Sequence, residues 1–178
     1  MEKIADLKDF LDEKVEKYNQ PEFIETDPIQ VPKQFAEKEN IEIAGFLAAT
    51  IAWGNRAAII KNALRLMALL ENQPHDFVLN ASEKELDRLQ KFVHRTFNGD
   101  DCIYFIRSLR NIYKNHDGLQ AIFERGYKNE ESVKSALAHF HSVFFETEGE
   151  RTRKHISNVT KGASAKRLNM FRRIIKVA

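Results

Sequence analysis

The stretch Ile41-Glu42-Ile43-Ala44-Gly45-Phe46-Leu47-Ala48-Ala49-Thr50-Ile51-Ala52-Trp53 constrains this chain more than any other. It is apolar nearly all round, interrupted only by Glu42 and Thr50, and a helix with no polar face must be covered by other elements. The remainder of the chain has to supply that cover. Thirteen Phe and a 43% hydrophobic content provide the material. Only four prolines occur, Pro21, Pro28, Pro32 and Pro74, so long stretches are free to be helical.

Helical periodicity recurs on both sides of the central run. Residues 3 to 19 repeat Ile4, Leu7, Leu11, Val15 and Tyr18 and stop at Pro21. Residues 21 to 36, with three prolines, read as an extended connector. After a Gly54-Asn55 turn, Asn55 can cap a helix from Arg56 to Glu71 with Ile59, Ile60, Ala63, Leu64 and Met67 inward. Ser82-Glu83-Lys84-Glu85 spells a capping box that opens a helix with Leu86 and Leu89 inside. Asp100 can cap a helix running to about His116 through Ile103, Ile106, Leu109 and Tyr113. Further helices are expected over Gly118 to Tyr127 and over residues 130 to 146, the latter with Val133, Leu137, Phe140 and Phe144 on one stripe. No run alternates convincingly with period two. The expected fold is all-α, a compact multi-helix bundle with no sheet. It forms either one domain over 1–178 or two lobes, 41–146 and the joined ends 1–40 plus 147–178.

Several classes of function are excluded or disfavoured. No apolar run reaches the eighteen or so residues of a membrane span, and the amino-terminal start is charged and amphipathic, so a cytoplasmic protein with no membrane partner is expected. A single cysteine, Cys102, rules out an intrachain disulfide and a multi-cysteine metal centre. The six His are scattered, and the close pair His139 and His141 falls on different helix faces. No metal site and no cofactor are read.

Charge is the informative signal. From Arg151 to Ala178 there are nine Lys or Arg and no Asp or Glu, leaving a net charge of −7 on residues 1–150 against +9 on the remainder. Such a split suggests a polyanion, nucleic acid first and an anionic membrane surface second, though a basic helix docked on an acidic body accounts for it equally. The segment reads as two helical pieces around a Gly162-Ala163-Ser164 turn. Ser164 is the expected cap of a final helix with Leu168, Phe171 and Ile175 inward and Lys166, Arg167, Arg172, Arg173 and Lys176 projecting elsewhere. A turn entering a helix presents unpaired amides and the positive end of the dipole, which together can hold a phosphate. Lys161, Lys166 and Arg167 surround those amides. Lys166 is a candidate amine nucleophile in the unfavourable field of the first turn, and a solvated basic face fits the same spacing.

Gly162-Ala163-Ser164-Ala165-Lys166 resembles the Gly-hydrophobic-Gly-x-Lys hairpin of the helix-hairpin-helix DNA glycosylases, the endonuclease III and 8-oxoguanine glycosylase superfamily. Leu47 to Arg56, followed by Ile59, Asn62 and Ala63, is similar to the L-x-x-x-L-L-S-x-Q-x-x-D-x-x-V-N-x-A stretch that opens that fold. More closely, Ala49-Thr50-Ile51-Ala52-Trp53-Gly54 and Gly162 to Asn169 resemble the A-T-x-A-W-G and G-S-A-x-K-R-L-N motifs of a bacterial family of uncharacterised proteins.

The glycosylase resemblance implies a hairpin that grips the DNA backbone, with Lys161, Gly162, Ala163, Ser164, Arg167, Arg172 and Arg173 on the nucleic acid. It implies Lys166 as the amine attacking C1′ of an extruded nucleotide, and Asn55 beside Arg56 where a glutamine fills the gap left by the flipped base. Trp53 can stack on a base or fill the core. Two departures bear on activity. Ser164 replaces the second hairpin glycine, and the twelve residues after Lys166 lack the aspartate, in a V-D-x-H-like segment, that supports the cationic sugar. A C-terminally shortened chain with base-excision chemistry incomplete or lost is therefore expected, DNA being preferred to RNA. The alternative is a non-enzymatic helical interaction module whose basic end binds an acidic protein or RNA. A third expectation is self-association through a final helix whose Phe171, Ile174 and Ile175 lack cover.

Overall fold

A computed structural model describes residues 2–18, 20, 24–147 and 151–177, without the side chains of 2–5 and 173–177. The central run forms α2 (Lys38–Thr50), following α1 (Glu2–Tyr18) and two short 3-10 turns, Pro28–Gln30 and Pro32–Gln34. Then come α3 (Arg56–Leu69), α4 (Pro74–Asn80), α5 (Glu83–Leu86) and a 3-10 turn, Asp87–Lys91. A ribbon of β1 (Val93–His94) and β2 (Phe97–Asn98) precedes α6 (Gly99–Asn115), α7 (Gly118–Glu130) and α8 (Val133–Phe144). The 3-10 turns Arg151–His155 and Val159–Lys161 lead to α9 (Lys166–Val177). None of the described helices is long and apolar enough to cross a membrane.

The all-round apolar character of α2 is answered as expected: ten of its residues, Asn40 and Glu42 through Thr50 included, are buried. Phe46 lies at the centre of an aromatic cluster, its ring 5.4 to 5.7 Å from those of Phe105, Phe140, Phe144 and Phe171. These rings come from α6, α8 and α9, so one side chain joins elements spread over the whole sequence. Edge-to-face pairs at such distances each add roughly 0.5–1.5 kcal/mol beyond simple burial. Phe171, expected to lack cover, is fully buried between Phe46 and Phe123. The self-association reading loses that residue, and the Ile174 and Ile175 side chains lie outside the described residues.

Glu42 is the anomaly of α2. It is 2% exposed and accepts a 2.7 Å hydrogen bond from the Tyr113 hydroxyl, with Lys38 3.9 Å away, while its Oε1 has no hydrogen-bond partner. Burial pushes its pKa up, against the smaller downward pull of Tyr113 and Lys38.

Local signals placed most helix starts. Asn55 Oδ1 accepts the Ala58 amide at 3.1 Å, and the Ser82–Glu85 capping box is formed in both directions. Two expectations change. The cap of α6 is Asn98, not Asp100: its side chain accepts the Asp101 amide, while Asp101 accepts the Asn98 amide. Gly99 is therefore the first residue of the helix, and its backbone lies so close to Gln90 that a Cβ would come within 2.4 Å of the Gln90 Cα. A sheet, expected to be absent, exists as the two-residue ribbon, with His94 opposite Phe97. Each strand is too short for alternation to be read.

The stripe of α1 also departs from a core role. Leu7, Leu11, Val15 and Tyr18, joined by Phe10, are each more than half exposed. Pro21, read as the stop of this helix, lies outside the described residues.

Candidate nucleic-acid interface

The basic turn is built by Asn158. Its Oδ1 accepts from the Thr160 amide and hydroxyl at 2.9 and 2.6 Å, and its carbonyl accepts the amides of Lys161 and Ala163 at 3.2 and 3.3 Å. The Gly162 amide goes to Val159 O at 3.2 Å. Gly162 takes φ +81° in open space, a conformation that suits glycine, and Ala165 takes φ +50° while buried. The chain thus reverses into α9, and Asn169 closes the first helical bond to Ala165 O at 2.9 Å.

This is a turn into α9, not the expected hairpin between two helical pieces. A single 3-10 turn, Val159–Lys161, stands where a helical piece was read, and Lys166, not a Ser164-capped residue further upstream, opens α9. The amides of Gly162 and Ala163 are used within the turn, so they are not the expected phosphate donors. The donors a helix start always leaves without intrahelical partners are here those of Lys166, Arg167 and Leu168. Lys161, Gly162, Ala163, Ser164 and Lys166 are all exposed around them. Arg172 is half-buried, and the Arg173 side chain lies outside the described residues.

Arg167 was expected on the outward basic face, and the structure turns it inward. Its guanidinium donates to Thr50 O at the end of α2 and lies over the Trp53 ring, 4.8 Å from the centroid. Burial lowers its pKa. The two sequence stretches that carry the resemblance, 49–54 and 162–169, therefore meet through this one side chain. Asn55 and Arg56, next in the chain after Gly54, are exposed beside the junction, Asn55 with its side chain occupied as the α3 cap.

Trp53, left open between base platform and core, is half-buried within a polar aromatic group. His155 stacks on it at 5.9 Å and 22°, and His94 meets it edge-on at 5.2 Å. His94 Nδ1 lies 3.1 Å from Asn62 Nδ2, which can only donate, so Nδ1 accepts and the proton resides on Nε2, 3.3 Å from Trp53 O. Gly54, φ +107°, lets the Arg95 side chain cross its backbone: a Cβ there would meet Arg95 Nε at 2.6 Å.

Beside His155 lies Asp101, fully buried. It accepts from the Asn98 amide at 3.1 Å, from Thr152 Oγ1 at 3.1 Å and from Arg151 at 3.4 Å. His155 Nε2 is 3.2 Å from Asp101 Oδ2 but out of line for a hydrogen bond. Burial alone would push the Asp101 pKa up, yet the Asn98 amide, His155, Thr152 and Arg151 together bring it below the ordinary value. Burial, with the positive charges of Lys154 and Arg167, brings the His155 pKa below its ordinary value despite the upward pull of Asp101. At neutral pH the pair is a carboxylate beside a neutral imidazole rather than an ion pair.

Sequence reasoning missed His94, Asp101, Thr152 and His155. The Asn98-x-x-Asp101 spacing was a usable capping signal for one of them; the histidines carry no spacing that marks them. Among the described residues no group of three His, Cys, Asp or Glu is arranged to hold a metal ion.

A family described as "Protein of unknown function (DUF2400)" matches residues 27–175, and the chain belongs to it. No curated protein and no solved structure matches the chain.

Proposed function

We propose that this member of the DUF2400 family is a DNA-binding protein of helix-hairpin-helix glycosylase descent that holds the phosphate backbone at the turn Lys161 to Lys166. The observation that carries the reading is the Arg167 contact with Thr50 and Trp53, which brings an exposed basic turn beside the exposed Asn55-Arg56 corner. One strand of a duplex can then meet Lys161, Ser164, Lys166 and the first amides of α9, with Arg172 further along the helix and Asn55 and Arg56 across the junction. The +9 balance of the last 28 residues supplies the long-range attraction.

Lys166 is exposed at the first position of α9 and is the amine available for attack on a sugar C1′. A carboxylate to stabilise the sugar cation is harder to find. Asp101, the buried carboxylate of the junction, is saturated by its own donors. Binding without efficient base excision is the expected behaviour.

Anisotropy with a labelled duplex tests this: affinity should fall steeply between about 50 and about 200 mM salt. Binding that is absent or insensitive to salt rejects it. Borohydride trapping on abasic DNA tests the chemistry separately, and failure to form an adduct at Lys166 leaves a binding protein only. The alternative, a module for an acidic protein or RNA, is favoured if reversing the charges of 161–172 loses such a partner and leaves DNA affinity unchanged.

A further inference from the structure

Arg167 is one of nine basic residues after residue 150, and charge alone would place it on the phosphate with Lys161 and Lys166. Its surroundings say otherwise. The planar guanidinium is half-buried, with one edge donating to the Thr50 carbonyl and its face over Trp53. The Thr50 carbonyl belongs to the last turn of α2, where carbonyls have no intrahelical donor, so Arg167 supplies a hydrogen bond α2 cannot make itself. Trp53 is in turn fixed by the Nε2 proton of His94 on its carbonyl and by His155 stacked on its ring. His155 belongs to the 3-10 turn that Asp101 ties to the start of α6 through Thr152 and Arg151.

We infer that Arg167 is a positioning residue for the DNA-binding turn: it locks Lys161 to Lys166 to the Trp53 corner and makes no phosphate contact itself. The inference rests on the proposed DNA-binding function for its consequence in affinity, but the locking can be measured without DNA. Lysine cannot replace the residue. An ammonium carries the same charge but has neither the flat face that covers an indole nor the fork that reaches a carbonyl beside it.

The test compares the full chain with R167K, R167Q, K161Q and K166Q. Duplex affinity is measured across salt, and amide exchange and Trp53 emission are measured without DNA. Trp53 is the sole tryptophan, so its emission reports the junction alone.

The expected result is that R167K and R167Q both weaken duplex binding about ten-fold, the scale of one charge-assisted hydrogen bond, and leave the salt slope at the wild-type value. K161Q and K166Q should each lower the slope by about 0.9. Both Arg167 variants should also shift Trp53 emission and speed amide exchange over residues 159–169, while the protection of α6 to α8 shows that the fold persists. A slope lowered by about 0.9 in R167Q and restored in R167K makes Arg167 a phosphate contact and overturns the inference while the DNA-binding reading stands. If the wild-type chain does not bind DNA, that reading fails and the exchange arm still decides. Unchanged exchange and emission in R167Q overturn the inference; loosened exchange upholds it.

Discussion

Glu42 and Asp101 are both carboxylates removed from water, at 2% and 0% exposure, and burial pushes both up in pKa, yet the net shift is upward for the first and downward for the second. The difference is position along a helix. Asp101 is the third residue of α6, where an unpaired amide is at hand and the dipole favours negative charge, and the chain adds Thr152 and Arg151 from the far side. Glu42 lies inside α2, where the amides of its own helix already have carbonyls, so Tyr113, a distant Lys38 and, more weakly, the Gln120 amide are its compensation. One buried acid is a built anchor for the candidate interface. The other is a cost that the α2 core tolerates.

Substitution separates the two most sharply at Asp101. D101N leaves the donors of Thr152, Arg151 and the Asn98 amide facing a neutral group and should cost about 3 kcal/mol in denaturant unfolding, with Trp53 emission changing in step. Thr152→Val removes one hydrogen bond to the anchor and should cost about 1.5 kcal/mol by the same measurement. Tyr113→Phe deprives Glu42 of its closest donor for about 1 kcal/mol, with no change in the emission of Trp53. E42Q should be within about 1 kcal/mol of wild type at pH 7, and on the stabilising side, because a neutral amide need not be stripped of charge. A loss of 3 kcal/mol on E42Q would erase the distinction between the two sites.

pH draws the same contrast. With its folded pKa raised, Glu42 contributes stability that is full below its ordinary value of 4.5 and is lost as pH rises through the folded value. Asp101, lowered, contributes stability present above its ordinary 3.8 and lost as pH falls through the folded value. His155, also lowered, contributes above 6.5 and loses that contribution on acidification, before Asp101 does. Unfolding free energy measured from pH 8 to pH 3 should therefore lose its Glu42 component in E42Q and its steep acid limb in D101N.

What the sequence disclosed follows the reach of each signal. The Asn55 cap, the Ser82–Glu85 box and the Phe140–Phe144 stripe are local, set by residues three or four apart, and they were legible. The α6 cap lies two residues before the expected Asp100, because the reciprocal Asn98–Asp101 capping box sets that start, a local signal present in the sequence. The stripe of α1 was visible as a pattern, but a pattern does not say whether anything covers it. At the candidate turn, the positive φ of Gly162 and the helix start close after it follow from a local glycine signal. The inward course of Arg167, and the gathering of His94 and His155 on Trp53 with Asp101 beside His155, depend on elements that meet only in three dimensions.

That dependence also has a duration. Arg167 reaches Thr50 across 117 residues of chain, and Phe171 closes on Phe46 with the same helix. On a ribosome, α2 emerges on the order of ten seconds before α9 at ordinary elongation rates. Through that interval the Thr50 carbonyl and one flank of the aromatic cluster wait without their partners, so a nascent chain has a nearly complete body and no basic turn docked on it. On the proposed reading, competence to bind would then arise only once α9 has been made, and a messenger cut short before residue 167 would leave Thr50 and Trp53 without Arg167.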